Sequence, residues 1–160
     1  MKTLLLARHA KSDWDVFGAA DHDRTLNSRG RRDAPAMARR LIDDGLRVDR
    51  IVSSSAARAR STADDYAAAF GLAVVEEPLL YEASSRSILA IAAALPDESE
   101  VAMLVGHNPG MSDAVGELTG AFEGLPTCAV AECAVDVGSW AELIEGTGRL
   151  LRVRTPRDDE

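Results

Sequence analysis

The 160-residue chain contains 26 acidic and 18 basic residues, so its formal net charge is −8. Such an acidic chain is unsuited to nonspecific nucleic-acid binding, which requires a basic surface that displaces counterions from phosphates. Its two cysteines are too few for a disulfide framework, and no segment approaches the roughly 20 apolar residues of a membrane-spanning helix. We therefore expect a cytoplasmic protein that binds neither nucleic acid nor membrane, with one domain over residues 1–156 and a frayed tail over 157–160.

Hydrophobic periodicity predicts alternating strands and helices in the first half of the chain. A short apolar run predicts a strand over Leu4–Arg8, and apolar residues three and four apart predict a helix over Asn27–Gly45. A second strand is predicted over Arg50–Ser54, followed by a helix that ends at Gly71. Ala73–Glu76 has the pattern of a short third strand.

The second half continues the same alternation. A third helix is predicted to begin at Ser84 or Ser85 and to end at Pro96, and an apolar run over Val101–Val105 predicts the fourth strand. A fourth helix follows, with Asn108 as its predicted N-cap and the next residue, a proline, in its first position.

Two late strands are predicted over Thr127–Val135 and Arg149–Arg154. The whole pattern predicts an α/β fold, a three-layer α/β/α sandwich with a mostly parallel central sheet. Cys128 and Cys133 lie five residues apart in one predicted strand, hence on opposite faces, so we expect two buried free thiols.

Polar residues follow three of the predicted strands at the point where each strand ends. Arg8 and His9 end the first strand, Arg58 comes shortly after the second, and His107 follows the fourth. The carboxyl ends of parallel strands meet at one edge of a sheet, which is where ligands bind in such folds. Two cations and two imidazoles around one point are costly unless an anion is bound, so the sequence predicts an oxyanion or phosphate site.

A metal site is the natural alternative for two histidines. Arginine beside both would repel a cation, and the carboxylates or thiolates that zinc requires are not grouped with them. The chain also has no P-loop and no GxGxxG motif, so we expect neither a metal nor a cofactor. The remaining chemistry is nucleophilic: a neutral His9 attacks phosphorus, while Arg8, Arg58 and His107 stabilise the charge on the phosphoryl oxygens.

Four motifs, in order along the chain, resemble the histidine phosphatase superfamily: LARHAKSDW (6–14), DRTLNSRG (23–30), SSAARARSTA (54–63) and LVGHNPG (104–110). Within that superfamily the chain is similar to the short SixA-type phosphohistidine phosphatases. The resemblance implies a phosphoglycerate-mutase-like fold. It also implies that His9 is the phosphorylated nucleophile and that Arg8, Arg58 and His107 form the phosphate pocket.

Other positions are matched less closely. Asp15 stands where mutase-type members often place a phosphate-contacting asparagine, and a carboxylate there disfavours a mutase. Glu82 lies near the place of the acidic proton donor of many relatives, and it is either that donor or a solvated carboxylate at a helix start. His22 is expected to be an exposed loop residue. Further candidates for substrate binding are Lys11, Ser12, Arg24 and Asn108.

We therefore predict a metal-independent phosphatase that acts on protein-bound phosphohistidine through a phospho-His9 intermediate. One alternative is a small-molecule phosphomonoesterase that uses Glu82 as general acid. Another is a non-catalytic phosphate-binding or adaptor protein.

Overall fold

The computed structural model describes residues 1–14 and 20–156. Asp15 and the tail 157–160, for which the sequence led to expectations, therefore lie outside the described residues. The strands are β1 (Lys2–Arg8), β2 (Arg50–Ser53), β3 (Val74–Glu76), β4 (Val101–Gly106), β5 (Val130–Val135) and β6 (Gly148–Arg154). The helices are α1 (Ser28–Asp43), α2 (Ala57–Phe70), α3 (Ser85–Ala93) and α4 (Gly110–Thr119), with short 3-10 turns at Asp21–Asp23, Pro78–Leu80 and Trp140–Glu142.

The six strands form one sheet in the order β3-β2-β4-β1-β5-β6. β4 pairs in parallel with both β1 and β2, and β3 pairs in parallel with β2. β5 is antiparallel to its neighbours β1 and β6. The prediction of a mostly parallel sheet is thus confirmed, and β1 and β4 lie side by side at its centre.

The apolar run of β1 is buried on both faces of the sheet. Leu4 and Leu6 pack into a core shared with α3 and α4, whereas Leu5 and Ala7 pack into a core shared with α1 and α2. Alternate residues of a strand point to opposite faces, and a central strand covered by helices on both sides therefore has a continuous apolar sequence. This arrangement confirms the three-layer α/β/α prediction.

Three predicted boundaries are wrong. The third helix, predicted to end at Pro96, ends at Ala93. The strand predicted from Thr127 begins at Val130, because Cys128 has a left-handed backbone (φ 64°) that interrupts an extended segment. The fourth helix has Pro109 as its N-cap and not Asn108. Asn108 Oδ1 instead accepts the N–H of Ser112, four residues on, at 3.1 Å, whereas an N-cap side chain accepts from the amide two or three residues on.

The thiol prediction is confirmed even though Cys128 precedes its strand. Cys128 and Cys133 are free and buried, and they belong to the two cores on opposite sides of the sheet.

Candidate active site

The backbone around His9 is fixed by its neighbours on both sides. The His9 N–H donates to the main-chain oxygen of Gly106 at the end of β4, and its carbonyl accepts from Cys128 N, at 3.1 and 3.0 Å. The next amide, Ala10 N–H, donates to Thr62 Oγ1 of α2 at 3.0 Å. Elements from three parts of the chain therefore hold the residue that follows β1.

The imidazole of His9 has a defined tautomer. Its Nδ1 lies 2.7 Å from the main-chain oxygen of Ala10, and a carbonyl oxygen can only accept, so Nδ1 carries the proton and the lone pair lies on Nε2. Burial, together with the smaller effects of the nearby Arg58 and Arg8 charges, lowers the pKa of His9 to about 4, against the raising effect of the Ala10 hydrogen bond. His9 is thus neutral at physiological pH and has a basic nitrogen available for attack.

The residues predicted at the other strand ends converge on His9. The rings of His9 and His107 lie 5.1 Å apart between centroids, and Nε2 of His107 lies 2.8 Å from Ser54 Oγ, at the end of β2. Burial first, and then the charges of His9 and Arg58, lower the pKa of His107 to about 3. Arg8, His9, Arg58 and His107 all line one cavity of about 680 Å³.

Several polar atoms around this cavity, among them three arginine N–H donors, are buried without a hydrogen-bond partner in the described part of the chain. They are the Nε atoms of Arg8, Arg24 and Arg58 and the Nδ1 atom of His107. A buried donor without an acceptor is costly. A phosphoryl group offers several strong acceptor oxygens, and its charge suits arginine, so the donor set favours an oxyanion.

The rim candidates also line the cavity, but three of them, Ser12, Arg24 and Asn108, have structural partners. Arg24 donates to Ser12 Oγ, and its guanidinium lies 3.5 Å from the centre of the exposed Trp14 ring. Asn108 donates from its amide to the Leu125 carbonyl at 2.9 Å. The structure thus brings Lys11, Ser12, Arg24 and Asn108 to the cavity wall.

Glu82 also lines the cavity, and its side chain is exposed. Its backbone is left-handed, with φ 53°, which is unusual for a residue other than glycine and is found more often at functional sites. The structure therefore places Glu82 within the site, and its role as a proton donor stays a prediction.

The sequence reasoning missed two residues of the site, Asp21 and Tyr81. The Asp21 carboxylate accepts from Arg24 and Arg58, each at 3.1 Å, and from the hydroxyl of Tyr81. The Tyr81 hydrogen bond and the two guanidinium groups lower the pKa of Asp21 to about 2, and the same hydrogen bond raises that of Tyr81 to about 12. One indication in the sequence that Asp21 belongs to the site is its position three residues before Arg24.

His22 is less exposed than predicted. Its Nε2 lies 2.8 Å from Ser55 Oγ, and its ring packs edge-on against Tyr81 at 5.0 Å between centroids. These two contacts hold the ring against the rim of the site, whereas an isolated loop residue would make no such contacts.

Comparison with known proteins identifies the family. The sequence pattern of the histidine phosphatase superfamily, branch 1, matches residues 4–108. The chain belongs to this superfamily. It is 32% identical to an uncharacterized chloroplastic protein of Arabidopsis thaliana, over 92% of this chain and 72% of that protein.

Solved structures agree with this membership in the histidine phosphatase superfamily. The proposed phosphohistidine phosphatase SixA of Agrobacterium tumefaciens has a TM-score of 0.82 and 32% identity, and the match covers 97% of this chain and 98% of that one. The corresponding protein of Nakamurella multipartitia has a TM-score of 0.86 and 29% identity, covering 98% and 96%. These matches confirm the SixA-type resemblance and the phosphoglycerate-mutase-like fold, and they support a phosphatase, which is a hydrolase.

Two further properties concern the described residues alone. Within residues 1–14 and 20–156, no group of three or more His, Cys, Asp or Glu side chains could hold a metal ion. None of the helices among these described residues is long and apolar enough to cross a membrane.

Proposed function

We propose that this protein is a phosphohistidine phosphatase that hydrolyses phosphohistidine on another protein through a covalent phospho-His9 intermediate. The observation that carries the proposal is the neutral His9 imidazole, whose Nε2 lone pair shares a cavity with Arg8 and Arg58. A neutral imidazole is a nucleophile for phosphorus, and guanidinium groups match phosphoryl oxygens in charge and geometry.

The reaction has two steps. In the first, Nε2 of His9 attacks phosphorus while the P–N bond to the substrate imidazole breaks, and the leaving imidazole takes up one proton. In the second, water attacks phosphorus, the bond to His9 breaks, and inorganic phosphate leaves as one proton is released. Arg8, Arg58 and His107 donate hydrogen bonds to the equatorial oxygens, where charge accumulates in both transition states.

The open form of the cavity supports a substrate carried by another protein. The chain between β3 and β4 contains only the 3-10 turn Pro78–Leu80 and α3, so no large insertion covers the site from this side. A phosphohistidine imidazole projecting from a protein surface can therefore approach the cavity of about 680 Å³.

A second candidate function rests on the position of Glu82. A phosphomonoester has a poor alkoxide leaving group that needs a proton donor, whereas the imidazole of phosphohistidine leaves more readily. Glu82 lines the cavity, as such a donor must. A small-molecule phosphomonoesterase with Glu82 as its general acid is therefore the second candidate.

The proposed function is tested by the turnover of a phosphohistidine peptide. We expect wild-type protein to release phosphate, and to do so in the presence of EDTA, because no step uses a metal. The His9→Ala variant should be inactive, and the matched variant His22→Ala should retain activity. Rapid quenching at alkaline pH followed by ³¹P NMR should detect a phosphoramidate on His9. Full activity of His9→Ala, or a phosphoserine in the trapped protein, would show that the nucleophile is wrongly assigned.

The Glu82→Gln variant separates the two candidate functions. Retained turnover of phosphohistidine with loss of turnover of an alkyl phosphomonoester supports the phosphohistidine phosphatase. A wild-type protein that hydrolyses only the ester supports the second candidate. Phosphate binding without turnover of either substrate would indicate a non-catalytic phosphate-binding protein.

A further inference from the structure

Asp21 places a carboxylate in the cavity that the proposed function assigns to a phosphoryl group. Its Oδ1 accepts from Arg24 and its Oδ2 from Arg58, each at 3.1 Å, and Oδ2 also accepts from the Tyr81 hydroxyl. Its main-chain oxygen accepts from Nη1 of Arg58 at 2.8 Å. One residue thus bonds to two cations of the site, and the proposed function assigns one of them, Arg58, to the incoming phosphate.

The burial of the two arginines strengthens their electrostatic interaction with the Asp21 carboxylate. Arg24 and Arg58 are only 8% and 5% exposed, so water screens them poorly. The Asp21 side chain is 44% exposed and lines the same cavity as both arginines. The hydroxyl of Tyr81 and the two arginines hold the pKa of Asp21 at about 2, so the carboxylate is charged at physiological pH.

Phosphate and Asp21 can bind Arg58 at the same time. A guanidinium group has five N–H donors in a planar fork. Asp21 engages Nη1 and Nη2 of Arg58, whereas Nε is buried without a partner among the described residues. A phosphate that binds the Nε edge shares the cation with a fixed negative charge. The carboxylate therefore weakens the binding of phosphate without blocking it.

We propose that Asp21 is a built-in counter-anion that limits the affinity of the phosphate pocket for inorganic phosphate and so favours product release. The inference rests on the proposed function, in which inorganic phosphate is the group left in the pocket after the second step. A pocket with Arg8, Arg24 and Arg58 and no carboxylate would retain that product. Asp21 acts on the product through the two arginines, so it is a positioning residue and takes no part in bond making.

The test is the binding of inorganic phosphate measured by calorimetry, which requires no turnover. Asp21→Asn removes the charge and keeps the size and one acceptor oxygen. We expect it to bind phosphate at least about fivefold more tightly than wild type, at the lower end of typical coupling between two ligands that share a partner. The Ki for phosphate as a competitive inhibitor should fall by the same factor. Asp21→Glu retains the charge and should restore weaker binding.

The control is Asp113→Asn, which removes another carboxylate that lines the cavity. No arginine pairs with Asp113 in the part of the chain that the structure describes, so phosphate affinity should stay within about twofold of wild type. An equal gain in Asp113→Asn would show a general charge effect and would overturn the role of Asp21.

Weaker phosphate binding by Asp21→Asn, with an unchanged unfolding transition, would also overturn the inference, because Asp21 would then merely hold Arg58 in place. Where Asp21→Asn does not fold, Asp21→Ser removes the same charge and carries the same expectation. A wild-type protein that turns over neither phosphohistidine nor a phosphomonoester contradicts the proposed function itself, which distinguishes the two failures.

Discussion

The buried imidazoles of His9 and His107 should make the folded protein less stable in mild acid. Burial lowers their pKa values from 6.5 to about 4 and about 3. In the unfolded chain both histidines titrate near the ordinary value. Between pH 6.5 and about 4 the unfolded state therefore binds more protons than the folded state, and the free energy of unfolding decreases as the pH decreases.

The magnitude follows from these values. At pH 5 an unfolded histidine lies about 1.5 pH units below its pKa, and at about 1.36 kcal/mol per unit its protonation stabilises the unfolded state by about 2 kcal/mol. Both folded imidazoles remain almost entirely neutral at that pH. The two together should lower the free energy of unfolding by about 4 kcal/mol between pH 7.5 and pH 5, a large part of the total of about 5–15 kcal/mol for a typical domain.

The assay is urea denaturation at pH 7.5 and pH 5 in buffers without phosphate, because a bound anion would stabilise the folded state. The His9→Asn variant should lose about half of the pH dependence. Glu82→Gln retains both buried imidazoles and should show all of it. The assignment of the effect to these imidazoles would be refuted if the free energy of unfolding of wild type differed by less than about 1 kcal/mol between the two pH values. It would also be refuted if His9→Asn showed the same difference as wild type.

Two further predictions concern packing and activity. In a helix, replacing glycine by alanine normally stabilises by about 0.5–1 kcal/mol, but a Cβ at Gly30 would lie 2.1 Å from the Lys11 main-chain oxygen. Chemical denaturation should therefore show that Gly30→Ala lowers the free energy of unfolding by about 1–3 kcal/mol. The control Gly124→Ala, with nothing within 4 Å of its Cβ, should change it little. A Gly30→Ala variant more stable than wild type would contradict the packing around Gly30. In steady-state kinetics, kcat/KM corrected for substrate ionisation should stay constant from pH 8 to about pH 5, because His9 remains neutral in the free enzyme. A decrease of kcat/KM with a midpoint near pH 6.5 would contradict a buried nucleophile.

The sequence was most informative where residues lie on regular elements. The apolar runs of β1 and β4 predict buried central strands, and the residues just after them, His9 and His107, are then placed at one edge of the sheet. The structure brings these histidines to a centroid separation of 5.1 Å. The expectation that parallel strands end at one edge of the sheet, without side-chain detail, was sufficient for this part of the site.

Residues in turns were not predictable by the same reasoning. Asp21 and Tyr81 lie in or next to 3-10 turns, where no periodicity indicates the direction of a side chain. Their contacts join segments that are 60 residues apart in sequence. The first residue of α4 was also not predictable. Asn108 donates to the Leu125 carbonyl, and the path of the loop that contains Leu125 depends on the packed fold.

The adjacent residues Arg8 and His9 show how one environment provides two chemical roles. Burial lowers the pKa of both side chains. The pKa of an imidazole begins at 6.5, so the loss of hydration makes it a neutral nucleophile, whereas the pKa of a guanidinium begins far above physiological pH and the group remains a cation there. An Arg-His pair at the end of a buried strand therefore places a nucleophile and an anion-binding group side by side. The net charge of −8 repels polyanions at long range, but it does not determine this local arrangement.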